Sequence, residues 1–245
     1  MTTQLPLPIP TATAPRPATQ VPVVHLERVA KTYHRQGEPV PALRGIDLLI
    51  QPGEFAAIMG RSGSGKSTLL HILGLLDAEY EGTYRLDGEL VSGLAADDLA
   101  RLRNRKIGFV FQSFHLLPQL SILENAELPA LYAGGTPDAC RAAARARLEQ
   151  MGLGHRLAHK PMELSIGQRQ RAAIARALVN EPRVLLADEP TGALDTRTAQ
   201  EILDILHDLH RDGATVVLVT HDREVSEAAE RIIYITDGQT HDGLA

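Results

Sequence analysis

One cysteine is all the thiol chemistry in 245 residues. Cys140 alone forms neither an internal disulfide nor a cysteine-based metal site, and such sparse usage suits a reducing compartment. It sits in an Ala/Arg-rich helical stretch, where it reads as packing. Long apolar runs are also missing: the longest, such as Val216 to Val219, fall far short of the roughly 18 residues of a membrane helix. The chain is therefore expected not to cross a membrane by itself. The first 22 residues hold six prolines, one basic residue and no apolar stretch of signal-peptide length, so they read as a flexible, extended tail without a secretion signal. Excess positive charge is lacking as well. With 25 Lys and Arg against 30 Asp and Glu, the net charge is -5, the wrong sign for a surface devoted to nucleic-acid backbone. No nucleic-acid partner is expected. Neither a long repeat nor a sustained heptad occurs. A composition 44% hydrophobic and 22% charged excludes a wholly disordered or collagen-like chain.

What is present is an alternation of short apolar runs and amphipathic stretches, in a chain long enough for one large domain or two small ones. VVHLERV, IDLLI and EFAAIM predict strands, with Pro52-Gly53 turning between the last two, and GTYRLDG predicts a hairpin arm. Ser67 to Leu76 predicts a helix opening directly from a Gly-rich loop, and Ala95 to Asn104 a second helix before the strand candidate IGFVFQ. From about Leu120 to Asn180 the periodicity is helical. VLLA and TVVLVT read as strands buried on both faces of a parallel sheet, with Ile202, Ile205, Leu206 and Leu209 marking one helix face between them. RIIYIT is read as the final strand. The expected fold is an α/β core with right-handed crossovers, interrupted by a helical block.

Gly60-Arg61-Ser62-Gly63-Ser64-Gly65-Lys66-Ser67 matches the P-loop pattern in full, between a strand and a helix as that motif requires. Glycines let backbone N–H groups curl around phosphate oxygens, and the helix that follows, opening at Ser67-Thr68, aims the positive end of its dipole at the same charge. Lys66 is expected to reach the β and γ phosphates and Ser67 to hold magnesium. Downstream, VLLADEP sets Asp188 and Glu189 at the end of a buried strand. Asp188 is expected to bind magnesium, and Glu189 to orient or deprotonate the attacking water.

Taken in order, these residues resemble the ATP-binding subunit of ABC transporters, over about Val23 to Gly243. The resemblance is carried further by Gln112 in FVFQ, Asp195 in GALD, His221 in VTHD and Tyr33 in KTY. Its defining element is Leu164-Ser165-Ile166-Gly167-Gln168, in the place of an LSGGQ signature. No NKxD motif of a GTPase is present, and the length leaves no room for SMC-type coiled-coil arms. The resemblance implies a P-loop NTPase core of RecA type, an antiparallel β subdomain and an inserted helical signature subdomain. The division expected is a tail over 1–22, a nucleotide-binding core over 23–119 and 181–245, and the helical block over 120–180. It further implies that Tyr33 stacks on adenine, Gln112 touches magnesium or the water, and His221 bonds the γ phosphate and Glu189. Ser165, Gly167 and Gln168 would face the nucleotide of a second copy, so that two MgATP are sandwiched in a homodimer. Coupling to permease subunits on other chains would place the protein on the inner face of the cell membrane, peripherally.

Ile166 departs from the pattern, which has glycine there. A positive φ at this position, or tight packing on the partner's P-loop, would cost roughly 1 to 3 kcal/mol, whereas a helical φ would cost little. GEPVPALRGIDL, LLHILGLLD and LARLRNRKIGFVFQSFHLLPQLSILENAELP are similar to ATPases of the lipoprotein-releasing and macrolide-exporting group, the mechanotransmission type. There Phe114, Leu116, Leu117 and Pro118 either receive a coupling helix of the membrane protein or form a buried linker. Arg101, Arg103, Arg105 and Lys106 read as a solvated helix face or as a contact for anionic groups. A stand-alone ATPase and a nucleotide-gated scaffold with little turnover are the competing functions.

Overall fold

The computed structural model describes residues 21–35 and 37–243, so nearly all of the predicted tail lies outside the described residues. Two sheets organise the chain. An antiparallel sheet has the order β2-β1-β4-β5, from β1 (Val24–Arg35), β2 (Glu38–Ile50), β4 (Glu81–Leu86) and β5 (Glu89–Leu90). The second sheet has the order β10-β9-β3-β8-β7-β6, from β3 (Phe55–Met59), β6 (Ile107–Val110), β7 (Val184–Asp188), β8 (Val216–Thr220), β9 (Arg231–Thr236) and β10 (Gln239–Gly243). The pairs from β9 through β6 are parallel. RIIYIT is thus not the last strand: β10 follows it and pairs antiparallel. Asp237 and Gly238, both with positive φ, make the tight turn between them.

Strand alternation in the parallel sheet serves two cores. Ala56, Ile58, Leu186, Val217 and Val219 face one cluster, where the antiparallel sheet and α1 (Lys66–Leu73) pack through residues such as Tyr84, Leu69 and Leu73. Their neighbours Phe55, Ala57, Leu185, Ala187, Val216 and Leu218 face the other cluster. There they meet α3 (Ile122–Tyr132), α4 (Pro137–Gln150), α5 (Ile166–Leu178) and α6 (Thr196–Arg211). Each fully buried Leu, Ile or Val contributes about 1.5 to 3 kcal/mol of transfer free energy, so α1 and α5 are held on opposite faces of one central layer. Two short helices, α2 (Ala96–Lys106) and α7 (Arg223–Ser226), complete the set.

The helical block ends where two side chains meet one carbonyl. Pro129 lies inside α3, and its carbonyl accepts from Asn104 Nδ2 and Asn180 Nδ2 at 3.1 Å each. The ends of α2 and α5 are tied to α3 there. Cys140 is buried on α4, as its surroundings suggest. Among the described residues no helix is long and apolar enough to cross a membrane.

Candidate nucleotide site

The parallel register brings the ends of several strands to one edge of the sheet. Met59 pairs with Thr220, Asp188 with Val219 and Val110 with Ala187, so Gly60, Glu189, His221 and Gln112 all leave the sheet on its carboxyl side, where α/β folds gather ligands.

After β3 the backbone curls. Gly63 and Gly65 hold φ of 80° and 110°, which side chains adopt only with strain. At Gly60 a Cβ would collide with the Ile235 carbonyl and Ser64 Oγ. Gly65 is the N-cap of α1 and offers no side-chain acceptor, and the first turn carries no acidic residue. Among the described residues, no acceptor takes the N–H groups of Lys66, Ser67 or Thr68, which sit with Ser62, Gly63 and Gly65 at the positive end of the helix. Ser64 Oγ is buried with no partner. Lys66 spans the loop, donating from Nζ to the carbonyls of Gly60 at 2.6 Å and Arg61 at 2.9 Å. A cradle of orphan donors, an unfilled hydroxyl and a lysine held only by carbonyls fits an anion with several oxygens.

Across the edge, Glu189 has a left-handed φ of 44°. Its carboxylate is held at both ends: Oε1 accepts from the His221 N–H at 3.0 Å and from His221 Nδ1 at 2.5 Å, and Oε2 accepts from Thr220 Oγ1 at 3.1 Å. One face of the imidazole is thereby committed to Glu189, leaving Nε2 for a ligand. Asp188 has no such support. Burial raises its carboxyl above the ordinary range, the charge of Glu189 adds to that, and His71 and Lys66 offset part of it. Gln112 lies over the loop after Glu189, its Nε2 only 2.8 Å from where a Cβ on Gly192 would stand. Ser67, Asp188 and Gln112 together supply hard oxygen donors, the set that suits Mg²⁺ rather than a thiolate- or imidazole-seeking metal.

The signature segment is a capped helix start. Ser165 Oγ accepts from Gln168 N at 3.2 Å, and Gln168 Oε1 accepts from Ser165 N at 3.0 Å, a capping box. Ile166 is the first residue of α5, its φ is not positive, and 44% of it is exposed. The backbone strain considered for it is therefore absent. Gly167 is buried, and a Cβ on it would meet Thr198 Cγ2. Thr198 in turn donates from N and Oγ1 to Asp195, at 3.0 and 2.7 Å, capping α6. Ser165, Gly167 and Gln168 make no hydrogen bond to the P-loop of their own chain among the described residues. Tyr33 is partly exposed, with its hydroxyl donating to Asp77 at 3.3 Å and Lys31 Nζ lying 5.1 Å from its ring centre.

Further functional candidates escaped the sequence reading. Gln170 is fully buried and donates to the Pro190 carbonyl; a polar residue inside an apolar helical face was its only signal. Arg176 donates to the carbonyls of Phe114 and His115, both residues with positive φ, and burial lowers its pKa. It closes a groove of about 700 Å³ lined also by Arg103, Phe111, Pro129 and Tyr132, but by no P-loop residue. The apolar quartet divides: Leu116 packs on the helical-side core while Leu117 is exposed. Most of the basic run is used locally, with Arg101 on Asp98, Arg103 on the Leu75 carbonyl, and Lys106 on Asp87 and Glu89.

Comparison with known proteins agrees with this geometry. The family described as ABC transporter matches residues 43–192. The chain is 53% identical over 218 residues to the macrolide export ATP-binding/permease protein MacB of Brucella melitensis, covering 89% of this chain and 34% of that protein. The chain thus spans about a third of the length of such relatives. The uncharacterized ABC transporter ATP-binding protein YvrO of Bacillus subtilis is 50% identical, with 87% of this chain and 93% of YvrO covered. Among solved structures, the dimeric post-hydrolysis state of the ATP-binding cassette MJ0796, bound to ADP and Pi, superposes with a TM-score of 0.82 at 46% identity, covering 90% and 97% of the two chains. With the P-loop, the paired carboxylates and the capped signature helix in one architecture, the chain belongs to the ABC transporter family, as an ATP-binding cassette.

Proposed function

We propose that the chain binds MgATP at the P-loop and hydrolyses it with Glu189 as general base. Paired copies would use the cycle to drive membrane subunits of an export or lipoprotein-releasing system. The observation that carries this reading is the convergence, at one sheet edge, of a donor cradle lacking acceptors with a carboxylate fixed by His221 and Thr220.

The chain's own groups account for each task. Backbone N–H groups of Gly63, Gly65, Lys66, Ser67 and Thr68 and the Lys66 ammonium bind the phosphates, as Lys66 gives up its contacts with Gly60 and Arg61. Ser67, Asp188 and Gln112 would hold Mg²⁺, which neutralises charge on the transferring phosphoryl group. Glu189 takes the proton of the attacking water, and His221 keeps its carboxylate aimed while its Nε2 faces the γ phosphate. Tyr33 offers adenine an aromatic face. Ser165, Gly167 and Gln168 complete the site of a second copy, as the exposed start of α5 allows. The dimeric MJ0796 cassette, bound to ADP and Pi, supports this pairing. Ligands that bind only the closed pair favour it by their differential affinity, and loss of the γ phosphate removes that preference.

We assign the nucleotide-binding core to 23–119 and 181–245 and the signature block to 120–180, with α5 anchored on the core sheet. A membrane permease partner, met through the groove beside Arg176 and Tyr132, is supported by the relative MacB, which is an ATP-binding/permease protein. Peripheral attachment to the inner face of the membrane follows from that reading.

Two variants test the proposal. Lys66→Ala is expected to lose nucleotide binding or turnover, and Glu189→Gln to bind ATP, stop hydrolysis and accumulate as a dimer on a sizing column. Parent-like behaviour of both would reject the assignment.

A further inference from the structure

A residue outside the motifs touches the backbone beside Glu189. Gln170 lies on α5, just beyond the signature, and its side chain is 0% exposed. Nε2 donates to the Pro190 carbonyl at 2.8 Å, while Oε1 is buried with no partner. Burying an amide with half its hydrogen-bonding capacity unmet is costly, and a leucine would fill such a site more cheaply. Pro190 directly follows Glu189, whose left-handed φ is a sparsely populated conformation that surrounding contacts must enforce. The bond acts on the Pro190–Thr191 peptide unit, one residue beyond the general base.

Two more ties run from the same helix to the segment after Glu189. Gly167 packs on Thr198 without room for a Cβ, and Arg171 Nη2 meets Glu201 Oε2 at 2.5 Å. Contacts at Gly167, Gln170 and Arg171 therefore bind the start of α5 to the stretch from Pro190 to Glu201. Ser165, exposed at the tip of α5, is the point at which a second copy would press.

We propose that Gln170 is a positioning residue that transmits the seating of the signature helix to the backbone of Glu189, so that water attack at one nucleotide is timed by engagement of the other. This rests on Glu189 being the general base. The coupling runs through contiguous packed and hydrogen-bonded contacts, the kind of network that carries energetic coupling between sites. A shift of the Pro190 carbonyl displaces the Glu189 carboxylate relative to the water, and small misplacements of a reacting group cost much in rate.

The test uses Gln170→Met, which keeps the volume and removes the donor, and Arg171→Met, which removes the neighbouring tie. With the melting temperature within a few degrees of the parent, Gln170→Met is expected to lower kcat about tenfold while KM for ATP stays within about twofold, since no group that binds ATP is altered. In the Glu189→Gln background the same change is expected to leave the ATP-trapped dimer intact, since a positioning role in water attack does not alter ATP-driven pairing. Arg171→Met is expected to lower kcat in the same sense, and provides the reading if Gln170→Met fails to fold. Parent-like kcat in folded Gln170→Met, or in Arg171→Met where Gln170→Met does not fold, overturns the proposal. So does an equal rise in KM, or loss of the ATP-trapped dimer when Gln170→Met is added to Glu189→Gln. Full turnover by Glu189→Gln would instead overturn the general-base assignment on which it rests.

Discussion

Asp188 stands at the end of β7 with a charge that the free chain does not neutralise at hydrogen-bond range. Burial raises its carboxyl, and Glu189 raises it further. A carboxyl whose folded pKa exceeds the unfolded value binds its proton more tightly in the native state. Its ionisation therefore opposes folding in full above the folded pKa, and the opposition fades as pH falls through that value toward the ordinary 3.8. Asp188→Asn is accordingly expected to raise the melting temperature of the nucleotide-free protein at neutral pH by about 1 to 3 °C, a site traded for stability. The same variant is expected to lose Mg²⁺-dependent ATP turnover by at least about a hundredfold. A thermal scan with a phosphate-release assay reads both, and a lowered melting temperature would contradict the unbalanced-charge account. Asp188 and Glu189, and the role expected of each, were legible in VLLADEP, but what holds the Glu189 carboxylate was not. That depends on Thr220 and His221, 31 and 32 residues from Glu189 and brought alongside by the β7–β8 pairing.

At the scale of elements, the starts of α5 and α6 are interlocked. Thr198 caps α6 with Asp195 through Oγ1 and N, and turns its methyl onto Gly167 of α5. Gly167→Ala is expected to destabilise by about 1 to 3 kcal/mol, because overpacking forces shifts in a fixed contact. Adding Thr198→Ser removes the colliding methyl and keeps the hydroxyl on Asp195, so most of that loss is expected to return. Denaturant melts of the single and double variants decide it, and equal midpoints for the two would show that Thr198 is not the obstacle. Ile166 illustrates the complementary case: the departure from glycine suggested strain, yet at the first position of a helix the β-branched side chain simply points into solvent. Its φ belongs to the helix, not to a turn. The terminal hairpin was missed because QTHDG has no apolar alternation; β10 is a strand on account of pairing with β9.

For the whole molecule, two surfaces offer contact. The carboxyl edge holds the P-loop and Glu189, while the groove beside Arg176 opens elsewhere and exposes Tyr132 to 83% on its rim. An aromatic so exposed contributes little to the fold, and such residues serve as anchors for partners. Tyr132→Ser is expected to leave the melting temperature within about 1 °C and solution ATP turnover unchanged. It is expected to weaken copurification with the cognate membrane subunit by about tenfold or more, as judged by pull-down from detergent extract. Retained copurification would move the partner's contact away from this groove.

By itself the sequence determined the P-loop, the strand and helix that flank it, the carboxylate pair, and the position of a capped helix at Ser165. These are local patterns, read within a few turns of chain, and backbone dihedrals and helix ends follow from neighbours. Only the tertiary structure decided which way Glu189 faces, that Gln170 reaches Pro190 and that Tyr33 is tethered to Asp77. Those partners lie 32, 20 and 44 residues apart, and strand order together with the two cores on the central sheet sets such separations. No local preference of the chain contains them.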